Sequence, residues 1–371
     1  MKRIILSIAT LGLAFSAWAG NPARTGTAGA TELMINPWAY SSGWNGVNSS
    51  NVRGVDAFNL NIAGLSQIKS TNVGFSYIDY LKLAEIKINS FGLAQKIGGN
   101  SYIGLSVFSM NMGNIERTDV NNPDGGIGTY SPRLNNVAIG YAHKFSEAIT
   151  CGLVFRGISE AGASDVKARA ACMDAGVQYS AKSPKERARD NEVKGRDIHL
   201  GISLRNVGIN GVFTGDGLSY QITDADGVQR TMQMRSAAFQ LPTQLHIGVS
   251  YDIRLDKDTN TTNAAYNNKL TIAGNFTSNA YANNQIGLGL EYAYKKIFAL
   301  RGGYQYENDL TNSDLRINAF SGFAFGASIY IPLKKASNDN LLAFDYSYRD
   351  SRFLGATHSF GVRIDLGDSK N

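Results

Sequence analysis

The sequence lacks the motifs and residue clusters that mark most enzymes and cofactor-binding proteins. Its 371 residues include only two cysteines and seven prolines. It contains no phosphate-binding loop, no G-x-S-x-G nucleophile motif and no His/Cys cluster at metal-ligand spacing. Lys and Arg are dispersed along the chain, which excludes the basic stripe with interleaved aromatics that is typical of nucleic-acid-binding proteins. We therefore predict a non-enzymatic protein with no catalytic residues, no cofactor, no metal and no nucleic-acid partner.

The chain also lacks a long apolar run after residue 19, where none reaches the roughly 18–20 residues that a membrane helix needs. Before residue 19 the pattern differs. Met1-Lys2-Arg3 is basic, Ile4 to Phe15 is apolar, and Ala17-Trp18-Ala19 has the small-x-small form of a signal peptidase site. This pattern predicts a signal peptide over residues 1–19; the alternative is a buried N-terminal helix. The mature chain is then exported, and it is either soluble or inserted in a membrane as strands.

The sequence does contain many stretches in which apolar and polar residues alternate, together with 40 glycines, 18 tyrosines and 17 phenylalanines. From Asn72 onward we predict about fourteen strands, several of them about ten or more residues long. Strands of globular proteins average about five or six residues, whereas a tilted membrane-spanning strand needs about 9–11. These lengths predict an all-β fold: a transmembrane antiparallel β-barrel of about 14 strands over residues 71–371. A soluble β-sandwich, which also alternates, is the alternative.

The stretch NQIGLGLEYAYKKIFALRGGYQYEN, residues 284–308, shows the pattern most clearly. Apolar side chains occupy the even positions on both sides of Lys295-Lys296, which is the period of two that strands have. If the even-numbered side chains of both arms face lipid, Tyr294 lies opposite Phe298. Glu291 then lies opposite Arg301 on the lumen face, as a candidate charge pair contributing less than about 1 kcal/mol if solvated.

The same parity predicts which smaller features face the lumen. It places Cys151 toward lipid and Cys172 toward the lumen, so we predict two free thiols, because opposite faces of a hairpin cannot be bridged. His199 and His246 face the lumen on consecutive strands and could be neighbours, but two solvated imidazoles are a better interpretation than a metal pair. Inner-face charges are numerous for an apolar tunnel: Arg156, Asp174, Asp197, Arg205, Asp252, Arg254, Arg363 and Asp365.

The segment between the signal and the barrel, residues 20–70, is rich in Asn, Gly and Ser and does not alternate. We predict that it is a plug, or hatch, packed within the barrel and anchored by Trp38, Trp44 and Phe58; a flexible periplasmic arm is the alternative. Small residues on the inner face would make room for it. The glycines predicted there are Gly201, Gly248, Gly287, Gly289, Gly303, Gly326 and Gly361.

Two long connections, residues 114–132 and 208–240, fall on the side opposite the chain termini. Outer-membrane barrels have short periplasmic turns and longer extracellular loops, so we predict that both are extracellular. They are mostly polar and glycine-rich, and could pair backbone edges with a β-rich partner. Candidate partner-binding residues in them are Asn114, Asn122, Asp124, Tyr130, Phe213, Tyr220 and Phe239.

Four phrases carry a resemblance to a known family: GNPARTGTAGATELMINPWA near the N-terminus, NIAGL at Asn61–Leu65, DAGVQY at Asp174–Tyr179 and GISLRNVG at Gly201–Gly208. They resemble the PorV/PorQ family of Bacteroidetes outer-membrane proteins, most closely its PorV (LptO) branch. The resemblance runs over nearly the whole mature chain. It implies a FadL-like barrel of fourteen strands with an N-terminal hatch, in the outer membrane.

The resemblance also implies a role in the type IX secretion system. The protein would associate with a large SprA/Sov-like translocon barrel, bind cargo by its C-terminal signal domain, and pass the cargo to the attachment complex. Alternatives are a FadL-like channel for hydrophobic small molecules and a PorQ-like structural subunit of the attachment complex. One departure concerns the C-terminus, since outer-membrane barrels commonly end on an aromatic residue and this chain ends RIDLGDSKN.

Overall fold

The computed structural model describes residues 22–162, 165–181, 198–255, 268–295, 297–312, 314–334, 337–352 and 354–367. Fourteen long strands form one sheet and are numbered β1 to β14 in chain order. Their bounds are Thr71–Tyr80, Ile86–Lys96, Ser101–Asn111, Arg133–Lys144, Ile149–Ala161, Lys167–Ala181, Ile198–Gly208, Gln244–Arg254, Asn268–Asn279, Gln285–Tyr294, Phe298–Glu307, Phe320–Lys334, Ser337–Ser351 and Thr357–Leu366. The predicted signal peptide, Asp197 and the greater part of the links after β6 and β8 lie outside the described residues.

Each strand pairs antiparallel with its neighbours in the sequence, and β1 pairs with β14, so the sheet closes on itself. The predicted all-β antiparallel barrel of 14 strands is confirmed. Shorter strands lie in the two long connections: Ile115–Glu116, Thr129–Tyr130, Val212–Thr214, Ser219–Thr223 and Gln229–Gln233. The helical turns are Pro22–Arg24, Thr31–Met34, Ala39–Ser42, Gly54–Asn59, Ile62–Gln67, Lys82–Ala84 and Asp216–Leu218. None of the described helices is long and apolar enough to span a membrane.

The two faces of the sheet differ in the way that alternation predicts. In β5, Val154 and Arg156 are buried, while Leu153 and Phe155 are 46% and 61% exposed on the outer wall. Large apolar side chains are exposed in this way on all fourteen strands. A soluble protein rarely exposes so much contiguous apolar surface, whereas a membrane barrel presents it to lipid. The apolar stripes therefore form the lipid-facing wall.

The β10–β11 hairpin has the register that its sequence pattern predicts. Tyr294 lies opposite Phe298, and Glu291 lies opposite Arg301. The environment of the charge pair differs from the prediction, because both side chains are buried, at 7% and 0% exposure. The expectation that this pair is solvated is wrong, because Tyr40 of the N-terminal segment and the inner wall enclose it.

The strand register is irregular at two places between β12 and β13 and at one between β6 and β7. The register of β6 and β7 shifts between Met173 and Ala175, where the carboxylate of Asp174 points inward and accepts the backbone N–H of Asn206 at 2.6 Å. Asn206 has a φ of 59°, in the left-handed region that asparagine tolerates. The Asp174 carboxylate thus takes the place of a backbone carbonyl as the acceptor for the Asn206 N–H. This position lies in the half of the barrel nearer the long connections.

The two cysteines lie on the faces that parity predicts. Cys172 is buried on the inner face of β6, and Cys151 is partly exposed on the outer face of β5. Both are free thiols.

Candidate functional site

The lumen is the first candidate site, and the N-terminal segment of residues 22–70 occupies it. The segment starts at the end with the long connections, where Gly29 donates its N–H to the carbonyl of Gln240 at 3.0 Å. Arg24 stacks on the ring of Tyr281 there, 4.2 Å from its centroid. The segment ends at the opposite end, where β1 begins at Thr71. It therefore runs the full height of the barrel before the first strand.

The structure buries all three predicted plug anchors against the inner wall. Trp38 donates its indole N–H to the side-chain carbonyl of Asn59 at 3.1 Å, and its exposure is 3%. Phe58 packs in an apolar cluster with Ile62 and is 1% exposed. Trp44 is completely buried. Burying an aromatic side chain removes about 150–250 Å² from water, so these anchors supply much of the apolar contact of the segment.

The seven inner-face glycines all lie where the segment approaches the wall. At each of them an added Cβ would come within 3.1 Å of an atom of the segment. At Gly303 that atom is the carbonyl oxygen of Trp44, at 2.2 Å, and at Gly248 it is the hydroxyl of Ser49, also at 2.2 Å. Any larger residue at these positions would push the segment away from the wall.

Inner-face polar side chains donate hydrogen bonds to carbonyl groups of the segment. Arg156 donates to the carbonyl of Phe58 at 2.8 Å and also pairs with Asp174 at 3.1 Å. Arg205 donates to the carbonyl of Leu33 at 3.0 Å. A segment with little regular secondary structure leaves carbonyls unpaired, and buried carbonyls need partners. The arginines predicted to face a solvated lumen are therefore structural donors to the segment.

A second charged cluster surrounds Tyr40, which the sequence did not single out. Its ring lies between two guanidinium groups, 4.0 Å from Arg301 and 4.6 Å from Arg363. Arg301 pairs with Glu291 at 3.0 Å, and Arg363 pairs with Asp345 at 3.5 Å. Each arginine thus has a carboxylate and an aromatic face in a dry environment, where both interactions are stronger than in water. The only sequence signal for this cluster was the excess of inward charge.

Two cavities between the segment and the wall are small. A cavity of about 70 Å³ lies between the segment and the upper wall, lined by residues that include Asn36, Asn45, Arg205, Gln244 and His246. This volume holds a few water molecules and is about half of the ~150 Å³ apolar cavity that takes up benzene. A second cavity, next to Tyr40, measures about 10 Å³. Neither suits a hydrocarbon.

His199 and His246, which strand order alone allowed to be neighbours, are not adjacent, and the expectation of a solvated imidazole is wrong for His246, which is buried. Both face inward, but His199 lies opposite Ser250 and His246 lies opposite Ser203, four residues apart along the strands. His199 contacts Asp252 at 3.6 Å, and His246 bonds Thr277 at 3.1 Å. Among the described residues no group of three His, Cys, Asp or Glu side chains could hold a metal ion.

The end of the barrel with the two long connections is the second candidate site. The predicted partner-binding residues fall into two groups there. Asn114, Asn122, Asp124 and Tyr220 are exposed. Phe213 and Phe239 instead pack on each other with ring centroids 5.4 Å apart. Phe239 also packs against the apolar cluster that includes Leu33 of the N-terminal segment. These two aromatics hold the loop to the segment, and Tyr130 is half-buried in its own loop.

Within the second long loop, Ser219–Thr223 and Gln229–Gln233 form a two-stranded hairpin whose ten residues are all exposed. One face carries Tyr220 opposite Met232 and Ile222 opposite Arg230, with Met234 next along the second strand; Ile222 and Met234 are 36% and 57% exposed. The other face carries Ser, Thr and Gln only. Neither strand pairs with a third strand among the described residues. The hairpin therefore presents a face of four apolar side chains and Arg230, together with two edges that no described strand pairs with.

No family model matches the chain, and no curated protein matches it. Among solved structures it is similar to a Pseudomonas aeruginosa FadL homologue, at 11% identity and a TM-score of 0.49, over 90% of this chain and 99% of that one. It is similar to the Pseudomonas putida toluene transporter TodX, at 12% and 0.47, over 93% and 96%. It is also similar to the Ralstonia pickettii toluene transporter TbuX, at 12% and 0.45, over 94% and 98%.

Proposed function

We propose that the protein is a non-enzymatic outer-membrane barrel, closed by its N-terminal segment, that binds a partner protein through its extracellular loops. The observation that carries the proposal is the exposed hairpin of residues 219–233, with an apolar face and free edges above a filled lumen. An isolated two-stranded hairpin is marginally stable in water, and free strand edges are templates for pairing with another chain. A β-rich partner would extend the hairpin by strand addition.

The finer form of the proposal rests on the family resemblance of the sequence. In that form the partner is cargo of the type IX secretion system, bound by its C-terminal signal domain. The barrel receives the cargo from a large SprA/Sov-like translocon and passes it to the attachment complex. The filled lumen supports a role outside the barrel, because arginine side chains and the N-terminal segment occupy the space that a conduit would use.

A pull-down from outer membranes in mild detergent tests this proposal. The tagged full-length protein should co-purify a very large barrel protein or a secreted protein with a C-terminal signal domain. Replacing Tyr220 and Met232 by serine removes the apolar face of the hairpin and should lower recovery at least tenfold. The matched control replaces Gln221 and Thr231, on the polar face, by serine and should retain the partner. Equal recovery by both variants, or no partner with the wild type, would overturn the proposal.

A channel for hydrophobic small molecules is the second candidate, and it agrees with the names of TodX and TbuX. The observation that favours it is the apolar cluster around Leu33, Ile158 and Leu241, close to the irregularity of the wall at Asp174. Proteoliposomes that contain the protein would then take up labelled toluene or oleate faster than protein-free vesicles. If uptake does not exceed the protein-free rate, the channel function is excluded and partner binding remains as the proposed function.

A further inference from the structure

The outer wall carries an uneven distribution of charge at its extracellular end. Arg133 is the first residue of β4, and Lys167 and Arg169 lie in the first three residues of β6. All three are exposed and alternate with inward residues such as Ala168, which is 1% exposed. They therefore point away from the barrel. We call Arg133, Lys167 and Arg169 the basic wall patch.

The strand register places the patch immediately above the apolar part of the wall. Across β4, β5 and β6, the row Asn135, Ser159 and Arg169 lies directly above the row Val137, Gly157 and Ala171. Arg133 and Lys167 share the next row up, one on each side of Ala161. Below, outward residues of β5 are largely apolar down to Ile149, which lies opposite Tyr179.

This spacing sets the depth of the patch in the membrane. From Ile149 to Gly157 the strand rises about 26 Å, or about 20 Å of height at a tilt of about 40°. The apolar band of outer-membrane barrels is about 25 Å tall, so Arg169 lies at its upper boundary. Arg133 and Lys167 lie one row further out. All three cations are thus at the depth of the lipid headgroups of the outer leaflet.

None of the three cations forms an ion pair within the part of the chain that the structure describes. Lys87, another outward cation at this end, lies directly opposite Asp79 and so has a carboxylate neighbour. On the far side of the barrel, β8 to β11 present only uncharged residues at the same end, which are Leu245, Ser278, Ile286 and Tyr306. Among the described residues of the fourteen strands, outward cations at this end that lack an opposed carboxylate occur only in the β4–β6 sector.

We propose that the basic wall patch binds the phosphate groups of a phosphorylated glycolipid of the outer leaflet, of the lipid A type. Guanidinium groups donate paired hydrogen bonds that match the geometry of phosphate oxygens. Charges at the boundary of the apolar band meet less water than charges on a loop, so their attraction for phosphate is less screened. The apolar rows below the patch would hold the acyl chains of the same molecule. A free phosphate ion would use the cations alone, whereas a lipid uses both surfaces.

Native mass spectrometry of the full-length protein in detergent tests the assignment, with bisphosphorylated lipid A and its dephosphorylated form as probes. The wild type should retain the phosphorylated form at least tenfold more strongly than the dephosphorylated one. The variant Arg133→Gln/Lys167→Gln/Arg169→Gln should lose that preference, and Arg169→Gln alone should lose part of it. Lys87→Gln is the matched control and should behave as the wild type.

Three results would overturn the assignment: equal retention of the two lipids by the wild type, unchanged preference in the triple variant, or the same loss in Lys87→Gln. Inorganic phosphate at about 10 mM, roughly ten-thousandfold above a lipid probe at about 1 µM, should not displace the lipid; displacement would assign the patch to a free anion instead. Folding of each variant is verified by the slower migration of the heated protein on a denaturing gel. This outcome does not depend on whether the extracellular loops bind a partner protein.

Discussion

Arg301 reaches no external surface, so its role can be tested through the stability of the barrel. Replacing it by methionine is expected to lower the free energy of unfolding by several kcal/mol. Its side chain is completely buried, pairs with Glu291 at 3.0 Å, and lies over the ring of Tyr40 at 4.0 Å. The substitution leaves the Glu291 carboxylate buried without a cation, which costs about 3–5 kcal/mol. Loss of the desolvated contact with Tyr40 adds up to about 2 kcal/mol. The double substitution Arg301→Met/Glu291→Leu removes both charges and should recover most of the loss, because apolar replacements of buried pairs are often neutral.

The assay is urea unfolding in detergent micelles, followed by the mobility of the folded and unfolded barrel on a cold denaturing gel. Arg230→Met is the control, since Arg230 pairs with Asp224 on the exposed hairpin at 2.6 Å with 62% of its side chain accessible. Exposed pairs contribute little, so this control should unfold at the wild-type urea concentration. If Arg301→Met also unfolds there, the pair is solvated and the filled-lumen account fails. If the double variant is as unstable as the single one, the unpaired carboxylate is not the cause.

Three further predictions address the segment and the thiols. Gly303→Leu should lower stability by about 1–3 kcal/mol and open the N-terminal segment to added protease, because the new side chain has no room beside Trp44. Gly302→Leu is the control on the lipid face, where the nearest atom to an added Cβ is 3.5 Å away, and it should change neither the stability nor the protease sensitivity. An apolar maleimide should label Cys151 in intact vesicles and leave Cys172 unlabelled until the barrel unfolds, and equal labelling would contradict their opposite faces. Burial raises the pKa of Glu32, in the N-terminal segment, from 4.5 to about 7. The folded state therefore favours the protonated carboxyl, and stability should fall as pH rises through this range. Glu32→Gln should remove that dependence in urea unfolding at pH 5 and 8.

Strand parity made much of the barrel predictable from the sequence. A period of two assigns each residue to one face without knowledge of its neighbours, and this is why Glu291 opposite Arg301 and the thiols of Cys151 and Cys172 could be placed correctly. The turn between β10 and β11 is short, so its register follows from the pattern of its two arms alone.

Contacts that depend on long connections or on irregular chain could not be predicted. The relative height of His199 and His246 depends on the loop between β7 and β8, which runs from residue 209 to 243 and sets no register by itself. Tyr40 lies in a segment without alternation, so no pattern pointed to its position between two arginines. The degree of burial of an inward charge depends on what fills the lumen, which parity alone does not report.

The path of the N-terminal segment also constrains how the molecule is assembled. The described part of the segment begins beside Gln240 and Tyr281 at the end with the long connections, and the chain returns as β1 from the opposite end. Buried anchors as large as Trp44 could not pass through a closed wall into niches that admit no added methyl group. We therefore expect the sheet to wrap around the segment, with pairing of Phe75 and Val362 along the seam between β1 and β14 as the last step. That seam then fixes the order of assembly, and with it the position of residues 22–29 at the end of the barrel that carries the long connections.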